Sequence, residues 1–254
     1  MFLPSGKDAA LWDWNAITLN QQENNVSSRL VPLLAASALM VMTLPASAGV
    51  IIGGTRVVYD GARKEASISV KNPEKTAPYL MQNWVENINE ADTRKPPFIV
   101  TPPLFRLDAG KENVLRVMRT GGDLPTDRES LYWLSIKSIP ASKKSEDNQL
   151  LISVKARLKL IYRPEGLKGN PDEAYKALSF SHQGSQLQAT NPTPFYVSFQ
   201  SIKIGGQEVD IKDSATLAPK GSMSWTLPAG ATGRVSWTTI NDYGGITEEA
   251  STPQ

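Results

Sequence analysis

At 254 residues the chain is long enough for two domains, and with no Cys each must rest on its own apolar core rather than on disulfides. The missing thiols also exclude a Cys–His nucleophile pair and thiolate metal sites. A formal net charge of +2, with no basic stripe interleaved with aromatics, argues against a nucleic-acid partner.

Taken in order, Met1 to Ser28 is polar and without a steady period. Arg29 then precedes LVPLLAASALMVMTLPASA, an apolar run ending in Ala46-Ser47-Ala48. A positive residue, an apolar segment and a small-x-small ending describe a Sec-type signal peptide cleaved after Ala48. Pro32, Pro45 and the abundant alanines weigh against a membrane anchor. The first 28 residues are too long and too acidic for an ordinary leader, so the natural start is expected downstream of Met1. No later apolar run has membrane length, and the exported chain is expected not to be membrane-embedded.

From Gly49 the pattern is β. Val50–Ile52 and Val57–Tyr59 read as strand segments parted by Gly53-Gly54, with Arg56 inside the apolar run. Further strands are expected at Ala66–Val70, Tyr79–Asn87, Phe98–Val100, Leu104–Phe105, Asn113–Met118 and Leu131–Ile139. Then comes DNQLLISVKARLKLIYRP, Asp147–Pro164, an unusually long alternating stretch. Leu150, Ile152, Val154, Ala156, Leu158 and Leu160 form one face, and Lys155, Arg157 and Lys159 form the other. A row of that kind either faces a core along its whole length or runs beyond its sheet and is offered to a guest. About seven strands with turns between them have the count and spacing of an immunoglobulin-like sandwich.

Gly166–Asp172, rich in Gly, Asn and Pro, reads as a connection between domains. The expected boundaries are therefore 49–166 and 167–254. A helical turn or two is expected at Asp172–Leu178. Strands follow at Ala177–Phe180, Gln186–Ala189, Tyr196–Ile204, Gly221–Leu227 and Gly233–Ile240, and the final STPQ should fray. The fold class expected is all-β, two immunoglobulin-like sandwiches.

Chemistry is sparse. His182, the one histidine, is placed in a polar turn, Ser181-His182-Gln183-Gly184, where a Ser–His–acid triad has no support. Gly53-Gly54 and Gly121-Gly122 lack the strand–helix setting of phosphate-binding loops. Glu248-Glu249 reads as a solvated pair. No enzyme activity, no cofactor and no metal is expected. Arg56 and Lys159 are the notable charges, each embedded in a strand. Each either points to solvent or, if both enter one cleft, forms a costly cation pair suited to an incoming carboxylate.

At Leu124 the sequence becomes specific. LPTDRESLYWLSIKSIP (Leu124–Pro140) resembles the signature of periplasmic pilus-assembly chaperones of the chaperone–usher pathway. So do TRVVY, FIVTPPLFRL, LKLIYRP, NPTPFY and TINDYG, in the same order. Ser135 departs from the pattern, where the family more often carries Asn. The resemblance implies two immunoglobulin-like domains arranged as a boomerang. It also implies that the long strand is lent to an incomplete fimbrial subunit in a one-to-one complex, through Leu150, Ile152, Val154 and Ala156. Arg56 and Lys159 would hold the subunit's C-terminal carboxylate and fix register. Lys159 has the opposite parity to Ile152, so a bulge or strong twist is expected between them. Glu129, Arg163 and Asp242 would form an interdomain ionic network. The short Ala141–Gln149 loop and the absence of Cys resemble the short-loop branch. Delivery to an outer-membrane usher is implied, and a self-capping homodimer is allowed for, with Lys143, Lys144, Glu146 and Asp147 blunting the free row. The competing readings are an immunoglobulin-like fibre subunit or adhesin and, opposed by the lone histidine, a secreted hydrolase.

Overall fold

Alternation in the sequence becomes four antiparallel-dominated sheets in the computed structural model, which describes residues 49–142, 150–212 and 215–253. The leader, its cleavage site, the upstream extension, and Lys143, Lys144, Glu146 and Asp147 lie outside the described residues.

The first half contains β1 (Ile51–Ile52), β2 (Arg56–Asp60), β3 (Glu65–Lys71), β4 (Tyr79–Asn87), β5 (Phe98–Thr101), β6 (Leu104–Leu107), β7 (Glu112–Arg119), β8 (Ser130–Pro140) and β9 (Val154–Arg163). One sheet runs β1-β3-β7-β5 and the facing one β2-β9-β8-β4-β6. Inward residues of both sheets, among them Val70, Met81, Leu115, Val117, Leu134 and Leu160, share one core. Packing two alternating faces in this way is what makes a sandwich.

A 3₁₀ helix, Pro171–Ala177, opens the second half, its first turn capped by the Asn170 side chain accepting from the Asp172 N–H at 3.0 Å. There follow β10 (Ser179–Gln183), β11 (Gln186–Thr190), β12 (Val197–Ile204), β13 (Gln207–Glu208), β14 (Thr216–Leu217), β15 (Ser222–Thr226), β16 (Val235–Thr239) and β17 (Ala250–Ser251). The sheets run β10-β11-β15 and β13-β12-β16-β17, with β14 also on β12. Their core is separate, built on Leu187, Phe199, Ile202, Leu217, Trp225 and Trp237. The molecule is nearly all β and is organised as two immunoglobulin-like sandwiches, each with its own core.

Three expectations need correction. His182 is not in a turn; it sits in β10 opposite Leu187, and the hairpin turn falls at Gly184-Ser185. The terminus is tied down through Thr252, whose N–H donates to Val235 O at 2.9 Å and prolongs the β16–β17 pairing. The long strand starts later than its pattern suggests, because Leu150–Ser153 have no ladder partner among the described residues.

The row on β9 should therefore behave as two halves. Leu160→Ala should destabilise the protein by about 3 kcal/mol, the usual result of emptying a packed core site. Ile152→Ala should change stability by less than about 0.5 kcal/mol, as exposed substitutions do. Urea unfolding of the two variants side by side checks both.

Candidate functional site

The decisive feature of β9 and the residues leading into it is a gradient. Leu160 and Leu158 are 0% and 5% exposed, whereas Val154, Ile152 and Leu150 on the same parity are 55%, 67% and 86% exposed, with Ala156 half-buried between them. One apolar row leaves the core and continues into the open. The ladder explains why this segment is available. On one side β9 pairs with β8 from Val154 to Tyr162, but on the other β2 pairs with it, in parallel, only from Lys159 to Arg163. Among the described residues no strand occupies the second edge of β9 at Val154–Leu158. Exposed apolar residues beside a free edge are a liability in a monomer and a template for a guest strand.

The cations stand where that edge closes. Arg56 and Lys159 are directly opposite in the β2–β9 register, so their side chains leave the same face of adjacent strands. That face is turned toward the second sandwich. Lys159 Nζ donates to Ser198 Oγ on β12 at 2.8 Å and to Thr216 Oγ1 on β14 at 2.5 Å. Arg56 Nη1 donates to Ile240 O at 2.9 Å, while its Nε is buried and unpaired among the described residues. Neither cation forms a salt bridge with a described carboxylate. Burial first, then the neighbouring Arg56 guanidinium, brings the Lys159 ammonium down to about 8. Burial also lowers Arg56, with Asp242 opposing. The sequence left solvent and cleft both open for these two side chains; the structure places both, half-buried, at the junction of the sandwiches. No register shift interrupts the β8–β9 pairing, so the expected bulge is absent from β9. Lys159 and the apolar row occupy opposite faces of the strand.

Glu129, Arg163 and Asp242 come together across the same junction. Arg163 Nε donates to Glu129 Oε1 at 2.7 Å and its Nη1 to Asp242 Oδ2 at 2.8 Å. The other Glu129 oxygen accepts from the Tyr196 N–H at 2.7 Å, and the guanidinium lies 5.5 Å from the centre of the Phe195 ring. Burial pushes the Glu129 carboxyl up, against the pull of Arg163. Arg163 is raised because its two carboxylates outweigh the desolvation of its charge. A second cross-junction pair joins Lys220 to Asp127 at 2.6 Å. Sequence reading missed Ser198, Thr216, Asp127 and Lys220. Isolated hydroxyls and loop charges carry no periodic signal, and only the fold brings them to this junction.

Comparison with known proteins decides the family. Residues 49–168 match the pili and flagellar-assembly chaperone family, PapD N-terminal domain, and residues 173–251 match the pili assembly chaperone PapD, C-terminal domain. The chain belongs to the pili assembly chaperones. The chaperone LpfB of Salmonella typhimurium is 44% identical over 225 residues, covering 85% of this chain and 94% of that one. The chaperone FimC of Escherichia coli is 38% identical over 228 residues, covering 87% and 92%. Among solved structures, the complex of the Salmonella enterica SafA pilin with the SafB chaperone aligns with a TM-score of 0.73 at 37% identity, covering 81% of this chain and 96% of that chain. The E. coli chaperone DraB aligns with a TM-score of 0.71 at 39% identity, over 81% and 96%. It is a chaperone family that matches across both halves of the chain, which favours this reading over that of a fibre subunit or adhesin.

The two ionic arrangements predict opposite effects on stability. The protonated form of Lys159 is penalised in the folded chaperone, so its contribution to stability should rise with pH between about 8 and its unfolded value. Lys159→Met should raise the denaturant midpoint at pH 7 and flatten that rise, compared with the wild type at pH 7 and pH 10. Arg163→Met, which strands the buried Glu129 carboxylate, should instead cost about 3 kcal/mol at pH 7.

Proposed function

We propose that this chaperone acts in the periplasm. There it folds fimbrial subunits by lending them the start of β9, without catalysis, and hands each one-to-one complex to an outer-membrane usher. The observation that carries the proposal is the gradient along β9: a row anchored in the core by Leu158 and Leu160 and offered by Ala156, Val154, Ile152 and Leu150. A subunit lacking one strand would add to the free edge through main-chain hydrogen bonds and take the row into its own core. The export-type leader supports the compartment. The boundaries 49–166 and 167–254 are proposed for the two working domains, and the short-loop branch for the chaperone's class.

Arg56 and Lys159 are assigned to the subunit's C-terminal carboxylate. Two half-buried cations at one register position, one with an orphaned Nε, are energetically poor alone and favourable once an anion arrives. Their placement at the end of the free edge supports a register stop: the guest strand pairs along β9 until its terminal charge meets them. Glu129, Arg163 and Asp242 are assigned to holding the two sandwiches in the geometry that keeps this stop in place.

Co-expression in a periplasm with the fimbrial subunits of the neighbouring genes, followed by purification on the chaperone, tests the assignment. The wild type should yield a stable one-to-one complex. Arg56→Ala and Lys159→Ala should abolish it with the fold intact, and Ile152→Asp should weaken it by burying an unpaired carboxylate. A complex that persists in both cation variants would discard the anchor. Failure of the wild type to retain any subunit would discard strand lending.

A further inference from the structure

One carboxylate, Glu86, contacts both basic side chains on the outward face of the lending segment. Glu86 lies on β4, two strands away from β9, with β8 between them. Its Oε1 accepts from Trp84 Nε1 at 2.7 Å and from Lys155 Nζ at 2.9 Å. Its Oε2 accepts from Ser135 Oγ at 2.6 Å and from Lys155 Nζ at 3.1 Å, with Arg157 Nε 3.3 Å away. The Lys155 ammonium also sits 4.8 Å from the centre of the Trp84 ring, and Arg157 Nη1 donates to Glu90 at 3.0 Å. Donors from β4, β8 and β9 thus converge on one side chain, and Ser135 beneath them is fully buried although it belongs to the outward face. Desolvation would raise the Glu86 carboxyl, but its hydrogen bonds from Ser135, Lys155 and Trp84 together outweigh it and draw it down to about 2.

Both β9 residues in this cluster, Lys155 and Arg157, fall in the stretch whose second edge is unpaired. There the strand has one neighbour, β8, among the described residues, where Lys159–Arg163 has two. The opposite face of the same stretch carries the exposed row. We propose that Glu86 is a positioning residue for subunit capture, its carboxylate gripping Lys155 and Arg157 from the outward side and holding the free end of β9 in the pose in which its apolar row is offered. The proposal rests on the strand-lending reading above. Its physical basis is pre-organisation: a strand held in place before the guest arrives does not have to be ordered at the moment of binding. The cluster is partly solvated and lies outside the core, so it contributes modestly to global stability, as exposed ion pairs do. Its effect is concentrated on the stretch of β9 that has no second partner strand among the described residues.

The test uses the whole chaperone as wild type, Glu86→Gln and Glu86→Ala. Hydrogen exchange is followed along β9 in the free protein, with thermal melting and capture of the co-expressed fimbrial subunits measured in parallel. In Glu86→Ala, exchange at Val154–Leu158 should quicken about tenfold, the equivalent of ~1.4 kcal/mol, while Lys159–Arg163 stays at the wild-type rate. Capture should fall by about the same factor with melting little changed, and Glu86→Gln, which keeps acceptors for Ser135 but loses the charge facing Lys155 and Arg157, should lie between. A uniform rise along β9 with a lowered melting temperature would reduce Glu86 to a fold-stabilising residue and overturn the proposal. So would undiminished capture by Glu86→Ala in a preparation where Lys159→Ala captures nothing. If the wild type itself captures no subunit, strand lending fails and the assignment of Glu86 to capture falls with it, whatever the exchange profile shows.

Discussion

Leu160 and Ile152 belong to one alternating row, and the molecule is arranged around the difference in what surrounds them. At the Leu160 end two sheets close over the strand and β2 seals its second edge. At the Ile152 end neither happens. Within β9 itself, Leu160 and Leu158 are buried and Val154 on the same parity is exposed, and a period of two leaves no freedom to change face between them; Ile152 and Leu150 continue the alternation just before the strand. An apolar row that begins in the core of this chain must therefore emerge from it pointing the same way, so a guest that takes up the row continues the chaperone's core with its own. The missing length of β2 is as consequential as the row. Were the parallel pairing to extend back to Val154, the edge would be filled and no other strand could join.

Such an arrangement needs support on its remaining sides. The β8 ladder supplies one side through main-chain bonds, and the Glu86 cluster holds the outward side chains. Beyond Lys159, the second sandwich closes over the face opposite the row, where Ile161 is buried and Arg163 reaches both Glu129 and Asp242. Buried ion pairs contribute more to a specific geometry than to net stability. A chain with two independent cores needs some such link, because packing inside each sandwich says nothing about the angle between them. Arg163 also follows directly on the last core residue of β9, Tyr162, so the strand that carries the row carries the link as well.

Much of this was legible in the sequence, because periods of two report faces. The row from Leu150 to Leu160 stood out, and so did the opposite parity of Lys159. Periodicity is silent on where a neighbouring strand stops, so the point at which β9 ceases to be a paired strand is not readable from it: Leu150–Ser153 alternate like strand residues but have no ladder partner among the described residues. The bulge or strong twist expected between Ile152 and Lys159 followed from requiring residues of opposite parity to meet one guest on one face. From Val154 to Tyr162 the ladder runs without a shift, and the two belong to opposite faces, the row toward the sandwich interior and Lys159 toward the second domain. His182 was misplaced for a related reason, since a polar strand on a solvated face has the composition of a turn. The hydroxyls of Ser198 and Thr216 could not be read at all, for they matter only through the meeting of two domains.

The two cations and the exposed row break the same rule in different ways, and their nearness explains why the fold tolerates both. Natural sequences keep local preference and global packing in agreement except where function requires otherwise. Here an apolar row that leaves the core and a cation pair with no salt bridge to a described carboxylate lie close together, Lys159 on β9 itself and Arg56 on the adjacent β2. Each deficiency matches what an incomplete sandwich lacks or carries: a strand's worth of apolar side chains, and a terminal carboxylate. Either alone would fit many ligands. A peptide tail would satisfy the cations and any oily surface the row. Under the assignment proposed for Arg56 and Lys159, only an extended chain that ends at the cations and pairs back along β9 meets both at once, and the spacing of the two defects would then select among guests.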